Sequence, residues 1–167
     1  MKVWLMLYAV FAAADGQAAT ADFAVYGQLV QSPCALAVED SQIEVDMKSW
    51  TQETFAINQR GPAIPFVIHL TDCYPEVAQQ VGVSFTGEAD ARNPALLALA
   101  SSSTASGVGI ELSDSHGVAI AINRDVYSQR LVSGANDVPL QAQLVTVSDT
   151  VTPGSFSATV DFELSYP

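Results

Sequence analysis

Positive charge is scarce in this sequence. Its 167 residues include six lysines and arginines against 18 aspartates and glutamates, and the formal net charge is −12 at pH 7. Proteins that bind nucleic acid need basic patches to neutralise phosphates, so this composition argues against a nucleic-acid partner. Hydrophobic residues make up 49% of the chain, which is enough apolar material for the core of one domain.

Residues that commonly carry catalysis or bind metals are also few. The two histidines, His69 and His116, have no second histidine or cysteine at ligand spacing. No nucleophile elbow, zinc-protease motif or glycine-rich phosphate loop is present. Asp114, Ser115 and His116 are adjacent in sequence, so they cannot face one another as a catalytic triad does. We therefore predict no enzyme activity, no metal site and no cofactor, and surface positions for both histidines.

The first eighteen residues have the features of a secretory signal peptide. A basic start at Lys2 precedes the apolar run Val3–Ala14, and Gly16 and Ala18 stand at the spacing that a signal peptidase reads. The apolar run is too short to span a membrane. We expect residues 1–18 to be removed, so that the mature chain begins at Ala19.

The sequence contains only two cysteines, Cys34 and Cys73, and both lie beyond the predicted cleavage site. An even pair of cysteines in an exported chain indicates a disulfide bond, because the compartment is oxidising. We therefore predict that Cys34 and Cys73 are bonded to each other.

The last residues of the sequence alternate strictly between apolar and polar. Polar side chains separate six apolar positions, namely Phe156, Ala158, Val160, Phe162, Leu164 and Tyr166. This period of two predicts a half-buried β-strand. A long apolar strand with a free edge invites aggregation, so we expect the edge to be covered within the chain or by another chain.

A second alternating stripe lies near the beginning of the predicted mature chain. It consists of Ala21, Phe23, Val25, Gly27 and Leu29. A glycine within a strand often marks a place where another surface approaches closely. Ser32 and Pro33 interrupt the pattern, so residues 19–33 can form an extension outside the domain that begins at Cys34. The alternative is an ordinary first strand of the same sandwich.

The intervening sequence predicts further short strands joined by turns. We expect strands at residues 34–45, 65–73, 81–86 and 138–147, and a hairpin formed by residues 107–112 and 117–122. Residues 48–65 are predicted to be irregular, residues 123–137 partly so, and no helix longer than two turns is expected after residue 18. This pattern predicts an all-β sandwich.

These features together resemble the type 1 fimbrial family of chaperone–usher pilus subunits. Gly154 is the fourteenth residue from the end of the sequence, Tyr166 is penultimate, and apolar residues alternate between them. The resemblance also includes the segments Tyr26–Cys34, Pro65–Cys73, Ala105–Leu112 and Val151–Ala158.

The resemblance implies an incomplete immunoglobulin-like β-sandwich that lacks its seventh strand and is completed by a donor strand from another chain. Residues 19–33 would be the donor extension, with Ala21, Phe23, Val25, Gly27 and Leu29 inserted, and residues 34–167 would form the pilin domain. The acceptor groove, which would also bind the chaperone and the usher partner, would comprise Gly154, Phe156, Ala158, Val160, Phe162, Leu164, Tyr166 and Pro167.

The resemblance further implies a periplasmic pilus chaperone, an outer-membrane usher and neighbouring pilus subunits as partners. The chain would pass through the periplasm and end in a fimbrium on the cell surface, where it would support cell adhesion. The alternative function is a single-domain exported adhesin or lectin-like module that completes its own sandwich. Trp50 and Tyr74 are the candidate aromatic residues for glycan binding, although we expect both to pack near the core.

Overall fold

The computed structural model describes residues 24–27 and 31–167. The chain divides into two units, Met1–Val30 and Gln31–Pro167. In the first unit, residues 24–27 form no strand and are exposed. The predicted signal peptide, and the predicted strand positions Ala21, Phe23 and Leu29, lie outside the described residues.

The second unit is built from two antiparallel sheets. Its strands are β1 (Ala35–Leu36), β2 (Ile64–Cys73), β3 (Gln80–Gly87), β4 (Val108–Asp114), β5 (Ala119–Ile120), β6 (Val126–Arg130), β7 (Gly134–Thr146) and β8 (Val160–Ser165). One sheet has the order β1-β2-β7-β4-β5, and the other has the order β6-β3-β8. The predicted all-β sandwich is confirmed.

The core lies between the two sheets and follows the predicted period of two. Alternate side chains of each long strand point inward and are buried, including Ile68 and Leu70 in β2, Val81, Val83 and Phe85 in β3, and Leu140, Ala142 and Leu144 in β7. The hairpin predicted at residues 107–122 is confirmed, because β4 pairs with β5. β4 departs from simple alternation, since every residue from Val108 to Ser113 is buried.

The buried carboxylate of Glu111 on β4 forms an ion pair with Arg60. The Arg60 guanidinium donates two hydrogen bonds to the Glu111 carboxylate, with Nη1 to Oε1 at 2.5 Å and Nη2 to Oε2 at 3.1 Å. The hydrogen bonds that Arg60 donates to Glu111 raise the pKa of Arg60. Next to it, the Gly61 N–H donates to the Leu144 carbonyl at 2.9 Å. These contacts fix the chain that precedes β2 against β7.

The disulfide between Cys34 and Cys73 is confirmed. It joins the beginning of the second unit to the end of β2, with a sequence separation of 39 residues. A cross-link that closes a loop of this length stabilises the fold by roughly 4 kcal/mol in the chain-entropy model. The Tyr74 N–H also donates to the Pro33 carbonyl at 2.8 Å. The disulfide and this hydrogen bond fix the beginning of the second unit against the end of β2.

The strand predicted at residues 34–45 is largely wrong. β1 ends at Leu36, and a 3₁₀ helix follows at Val38–Ser41. The Asp40 carboxylate accepts hydrogen bonds from both the backbone N–H and the ring Nδ1 of His69, so the chain turns to bring Asp40 against β2. Both histidines lie at the surface, as expected: the exposed His69 is a structural partner of Asp40, and His116 lies in a turn.

The other differences concern segments predicted to be irregular. Helix α1 (Gln52–Asn58) lies within residues 48–65, and β6 with the beginning of β7 occupies much of residues 123–137. α1 is seven residues long, which agrees with the prediction that no helix exceeds two turns. Among the described residues, no helix is long and apolar enough to cross a membrane.

Two glycines with left-handed backbones provide a matched stability test. Gly107 (φ +82°) lies so close to Thr150 that an added Cβ would be 2.1 Å from the carbonyl oxygen, whereas at Gly117 (φ +81°) a Cβ would meet nothing within 4 Å. We expect Gly117→Ala to cost about 1 kcal/mol through backbone strain alone. Gly107→Ala should cost about 3 kcal/mol or more, because the clash adds to the same strain.

Equilibrium denaturation of the two variants measures this difference. Equal losses of unfolding free energy would contradict the close packing of residue 107 against residue 150.

Candidate functional site

Strand β8 lies at the edge of its sheet. It pairs with β3 from Gly82↔Ser165 to Gly87↔Val160, and within the described residues no strand pairs with its other edge. Such an edge presents unpaired N–H and C=O groups that can bind another strand. Its backbone is therefore a template for one more strand.

The segment that leads into β8 extends this open edge. The Ser155 carbonyl accepts a hydrogen bond from the Thr104 N–H at 2.8 Å, and the Ser157 carbonyl accepts one from the Ala100 N–H at 2.8 Å. Odd-numbered residues thus direct their backbone groups toward the loop before β4. Because backbone direction alternates in an extended chain, Phe156 directs its groups outward.

The same alternation continues through β8. The Phe85 carbonyl accepts a hydrogen bond from the Asn123 N–H at 2.7 Å, so Phe85 faces β6 and its neighbour Ser84 faces β8. Ser84 stands opposite Glu163, which is therefore one of the β8 residues bonded to β3. It follows that the N–H and C=O groups of Phe162 face the open edge.

The even-numbered side chains along this edge share one environment. Each is half-buried and packs against the core on the inner face, and together they are Phe156, Ala158, Val160, Phe162, Leu164 and Tyr166. The two remaining predicted groove residues, Gly154 and Pro167, are exposed at the ends of the row. We name this row, from Gly154 to Pro167, the β8 wall.

A second row of half-buried side chains precedes α1. Ile43, Val45, Met47 and Trp50 also pack against the core, although residues 42–50 form no strand. We name residues 43–50 the α1 wall. Its alternation is visible in the sequence, but it has no hydrogen-bonded partner strand among the described residues. Trp50 thus packs against the core as predicted, whereas Tyr74 is exposed on the turn after β2.

The two walls meet around a cleft of about 470 Å³. Residues Val45–Trp50 line one side, Val151–Phe156 line the other, and Phe55 and Leu144 contribute core side chains. We call this cleft, together with the open edge of β8 that continues from it, the acceptor groove, after the role predicted for it. Because apolar side chains line both walls, the groove suits an extended segment with alternating apolar residues.

Gly154, the first residue of the β8 wall, lets the chain lie close against the loop before β4. A Cβ at this position would lie 2.5 Å from the Ala105 amide nitrogen and 2.5 Å from Thr104 Oγ1. A side chain would push residues 154–156 away from the loop that holds them. The glycine is therefore needed for close contact between two backbone segments.

The acceptor groove has little charge and no metal-binding character. Asp46 on the α1 wall forms an ion pair with Lys48, and hydrogen bonds from Lys48 lower the pKa of Asp46. Burial raises the pKa of the Tyr166 phenol, as expected for a ring packed against the core. Within residues 24–27 and 31–167, no group of three or more His, Cys, Asp or Glu residues could hold a metal ion.

The sequence of this chain matches those of known proteins. A family model described as "Fimbrial protein" matches residues 23–167. The chain belongs to the fimbrial protein family. A probable major fimbrial subunit, LpfA of Escherichia coli O157:H7, is 36% identical over 159 residues, which cover 94% of this chain and 88% of that protein. The type 1 fimbrial subunit of Salmonella typhimurium is 34% identical over 146 residues, which cover 84% of this chain and 79% of that protein.

Solved structures of pilus subunits share the fold of this fimbrial protein. The P pilus rod subunit PapA superposes with a TM-score of 0.68 at 19% identity, over 81% of this chain and all of that one (100%). A chain of a chaperone–usher pilus gives a TM-score of 0.69 at 19% identity, over 95% of this chain and 100% of that one. The relatives are structural subunits, which confirms the prediction that the chain is not an enzyme, and the fold is the immunoglobulin-like sandwich expected.

The alternation of backbone direction along β8 can be tested by amide hydrogen exchange. In the free chain, labelled soon after refolding and before it aggregates, the N–H groups of Phe162 and Leu164 should exchange about tenfold faster or more than those of Asp161 and Glu163, because only the odd-numbered groups are bonded to β3. Residue-resolved exchange measured by NMR gives the four rates. Uniform protection across the four residues would mean that the outer edge of β8 is already paired.

Proposed function

We propose that this chain is a structural subunit of a fimbria and polymerises by donor-strand exchange. The observation that carries the proposal is the β8 wall, where an unpaired strand edge coincides with six half-buried apolar side chains. An incoming strand would bond to this edge and cover these side chains together. The leading segment, residues 19–33, would be the strand donated to a neighbour.

The energetic reason for strand donation lies in the exposed parts of the core. Burying a large apolar side chain fully is worth about 1.5–3 kcal/mol, whereas a domain's whole stability is about 5–15 kcal/mol. Phe156, Val160, Phe162, Leu164 and Tyr166 are only partly buried, so each contributes less than its full share of that margin. We expect the isolated subunit to be unstable or prone to aggregate until a strand fills the acceptor groove.

The alternation of the leading segment fits that of the β8 wall. Ala21, Phe23, Val25, Gly27 and Leu29 repeat every second residue, as the half-buried positions of β8 do. Main-chain bonds to the edge would supply affinity, and the alternate side chains would supply specificity. Each copy has both a donor and an acceptor. The contact is therefore head-to-tail and builds a filament, not a closed dimer.

The same groove requires a partner before assembly. A periplasmic chaperone would lend a strand to the β8 edge. At the outer-membrane usher, the leading segment of the next subunit would replace that strand. The product would be a fimbrium on the cell surface, in its shaft or at its tip, that supports adhesion.

Deleting residues 19–31 from the mature chain tests the donor role. The truncated subunit keeps its groove, so we expect it to bind the chaperone as before but not to join the groove of another subunit. Co-purification with the chaperone and electron microscopy of surface filaments measure the two properties. A truncated subunit that still forms normal filaments would refute the donor assignment. A full mature chain that is a stable monomer without chaperone would favour the self-completed adhesin.

A pair of adjacent substitutions sharpens this test without shortening the chain. Val25 and Tyr26 are both exposed in the free chain, but they lie on opposite faces of the predicted donor strand. Val25→Asp would place a charge in the neighbour's acceptor groove and should abolish filaments, since burying an unpaired charge is very costly. Tyr26→Asp should leave assembly nearly unchanged. Equal effects of the two substitutions would contradict insertion with this alternation.

A further inference from the structure

We propose that Asp40 and His69 are positioning residues for the acceptor groove, because their contact fixes the point where the chain leaves β2 and begins the α1 wall. The inference rests on the proposed strand donation, since the place of the α1 wall matters to function only if a donated strand lies against it. Neither residue lines the cleft, so both act through the wall.

The β1–β2 ladder ends at this contact, one residue after Leu36 stands opposite Leu70. At the next position, the Ala37 N–H donates to the His69 carbonyl at 2.9 Å. A regular antiparallel pair would return a second bond, from the His69 N–H to the Ala37 carbonyl. That carbonyl instead accepts the Asp40 N–H at 3.0 Å, and the Asp40 carboxylate accepts the His69 N–H. The carboxylate thus takes the place of a strand carbonyl, and the chain can turn away from β2.

The ring of His69 adds a second bond to the same oxygen. Nδ1 of His69 lies 2.9 Å from Oδ2 of Asp40, which also accepts the backbone N–H of His69. The Asp40 side chain is only 8% exposed, whereas that of His69 is 48% exposed. A buried carboxylate is costly unless hydrogen bonds satisfy it, so these two bonds hold Asp40 in one place.

The α1 wall begins soon after this contact and depends on its two ends. Among the described residues, no backbone–backbone hydrogen bond joins residues 42–50 to the rest of the chain. The middle of the wall is held by its half-buried side chains, which pack against the core. Beyond α1, the ion pair of Arg60 with Glu111 anchors the far end. The contact between Asp40 and His69 is therefore the polar anchor of the near end.

The α1 wall must stand in the right place for the groove to accept a strand. Residues Val45–Trp50 line one side of the cleft, and the β8 wall begins on the other. Between Ala37 and Val45, the chain crosses from the edge of the five-stranded sheet to this cleft. With its near end released, only a fraction of the molecules would hold the wall where a donor can lie against it. A donor that selects this fraction associates more slowly, in proportion to the fraction.

Donor binding to variants of the contact tests this role. The full mature chain carries Val25→Asp, which disables its own leading segment as a donor, and serves as the reference. It is refolded at low concentration and mixed at once with a fluorescent peptide of the natural residues 19–33. Fluorescence anisotropy gives the association rate, and circular dichroism of the same samples reports whether each variant folds.

The variants separate the two hydrogen bonds. Asp40→Ala removes both, and we expect association to become about tenfold slower. Asp40→Asn keeps an acceptor oxygen in a side chain of the same shape and should stay within about twofold of the reference rate. His69→Ala removes only the ring bond and should slow association about threefold. Because it keeps the backbone bond, His69→Ala also decides the question if Asp40→Ala does not fold.

Matched controls separate the contact from general effects of substitution. Glu39→Ala removes an exposed carboxylate from the same 3₁₀ helix, and Asp137→Ala removes the exposed carboxylate opposite His69 on β7. Neither should change the rate. Equal rates in Asp40→Ala, His69→Ala and these controls would overturn the positioning role alone, as would an Asp40→Asn chain as slow as Asp40→Ala. A reference chain that does not bind the peptide would overturn strand donation as well.

Discussion

The outer edge of β8, with which no strand of the described residues pairs, is the constraint on which the rest of the structure depends. A strand in the middle of a sandwich is normally bonded on both sides, and its inward side chains are enclosed by neighbours. β8 has one of these neighbours in β3, and the α1 wall faces the groove without supplying the other as a paired strand. Its inner side chains therefore reach the core but are not fully enclosed by it.

Contacts around β8 hold the chain in place without covering its outer edge. Gly154 lets the chain lie against residues 104–105 without a side chain between them. The bonds from residues 100–105 to Ser155 and Ser157 then hold the β8 wall extended before the strand itself begins. On the other side, the Arg60–Glu111 pair anchors the chain after α1 to the neighbouring sheet. These contacts hold the two walls on the sides away from the acceptor groove. The sides that face the groove stay accessible.

The sequence predicted the long strands well because their patterns are simple. β2, β3 and β7 bury every second residue against one core, and that period is visible without any tertiary information. The β8 wall was predicted in the same way, since the half-buried residues from Phe156 to Tyr166 are those that alternate. The regular strand was nevertheless shorter than the alternation, because only Val160–Ser165 face β3. Before residue 160, the chain is hydrogen-bonded to the loop of residues 100–105 and not to a strand.

Features that depend on partners distant in sequence could not be predicted from the alternation of apolar residues. Residues 42–45 have strand-like alternation but no strand, since their alternation reflects packing on the core without a neighbouring ladder. Asp40 turns the chain toward His69, which is far away in sequence, and Glu111 is buried because Arg60 reaches it. The α1 wall was missed as part of the site for the same reason, although Ile43, Val45 and Met47 carried the signal.

In a filament of the proposed kind, the disulfide would transmit tension from one part of the domain to another. Tension along such a filament would enter each domain at Cys34, where the leading segment ends. The covalent link to Cys73 passes that force directly to β2, bypassing the two-residue strand β1. β2 is held by a long antiparallel ladder to β7 in the interior of its sheet. Pulling β2 along its own axis loads these hydrogen bonds in shear, so they must break together and not one after another.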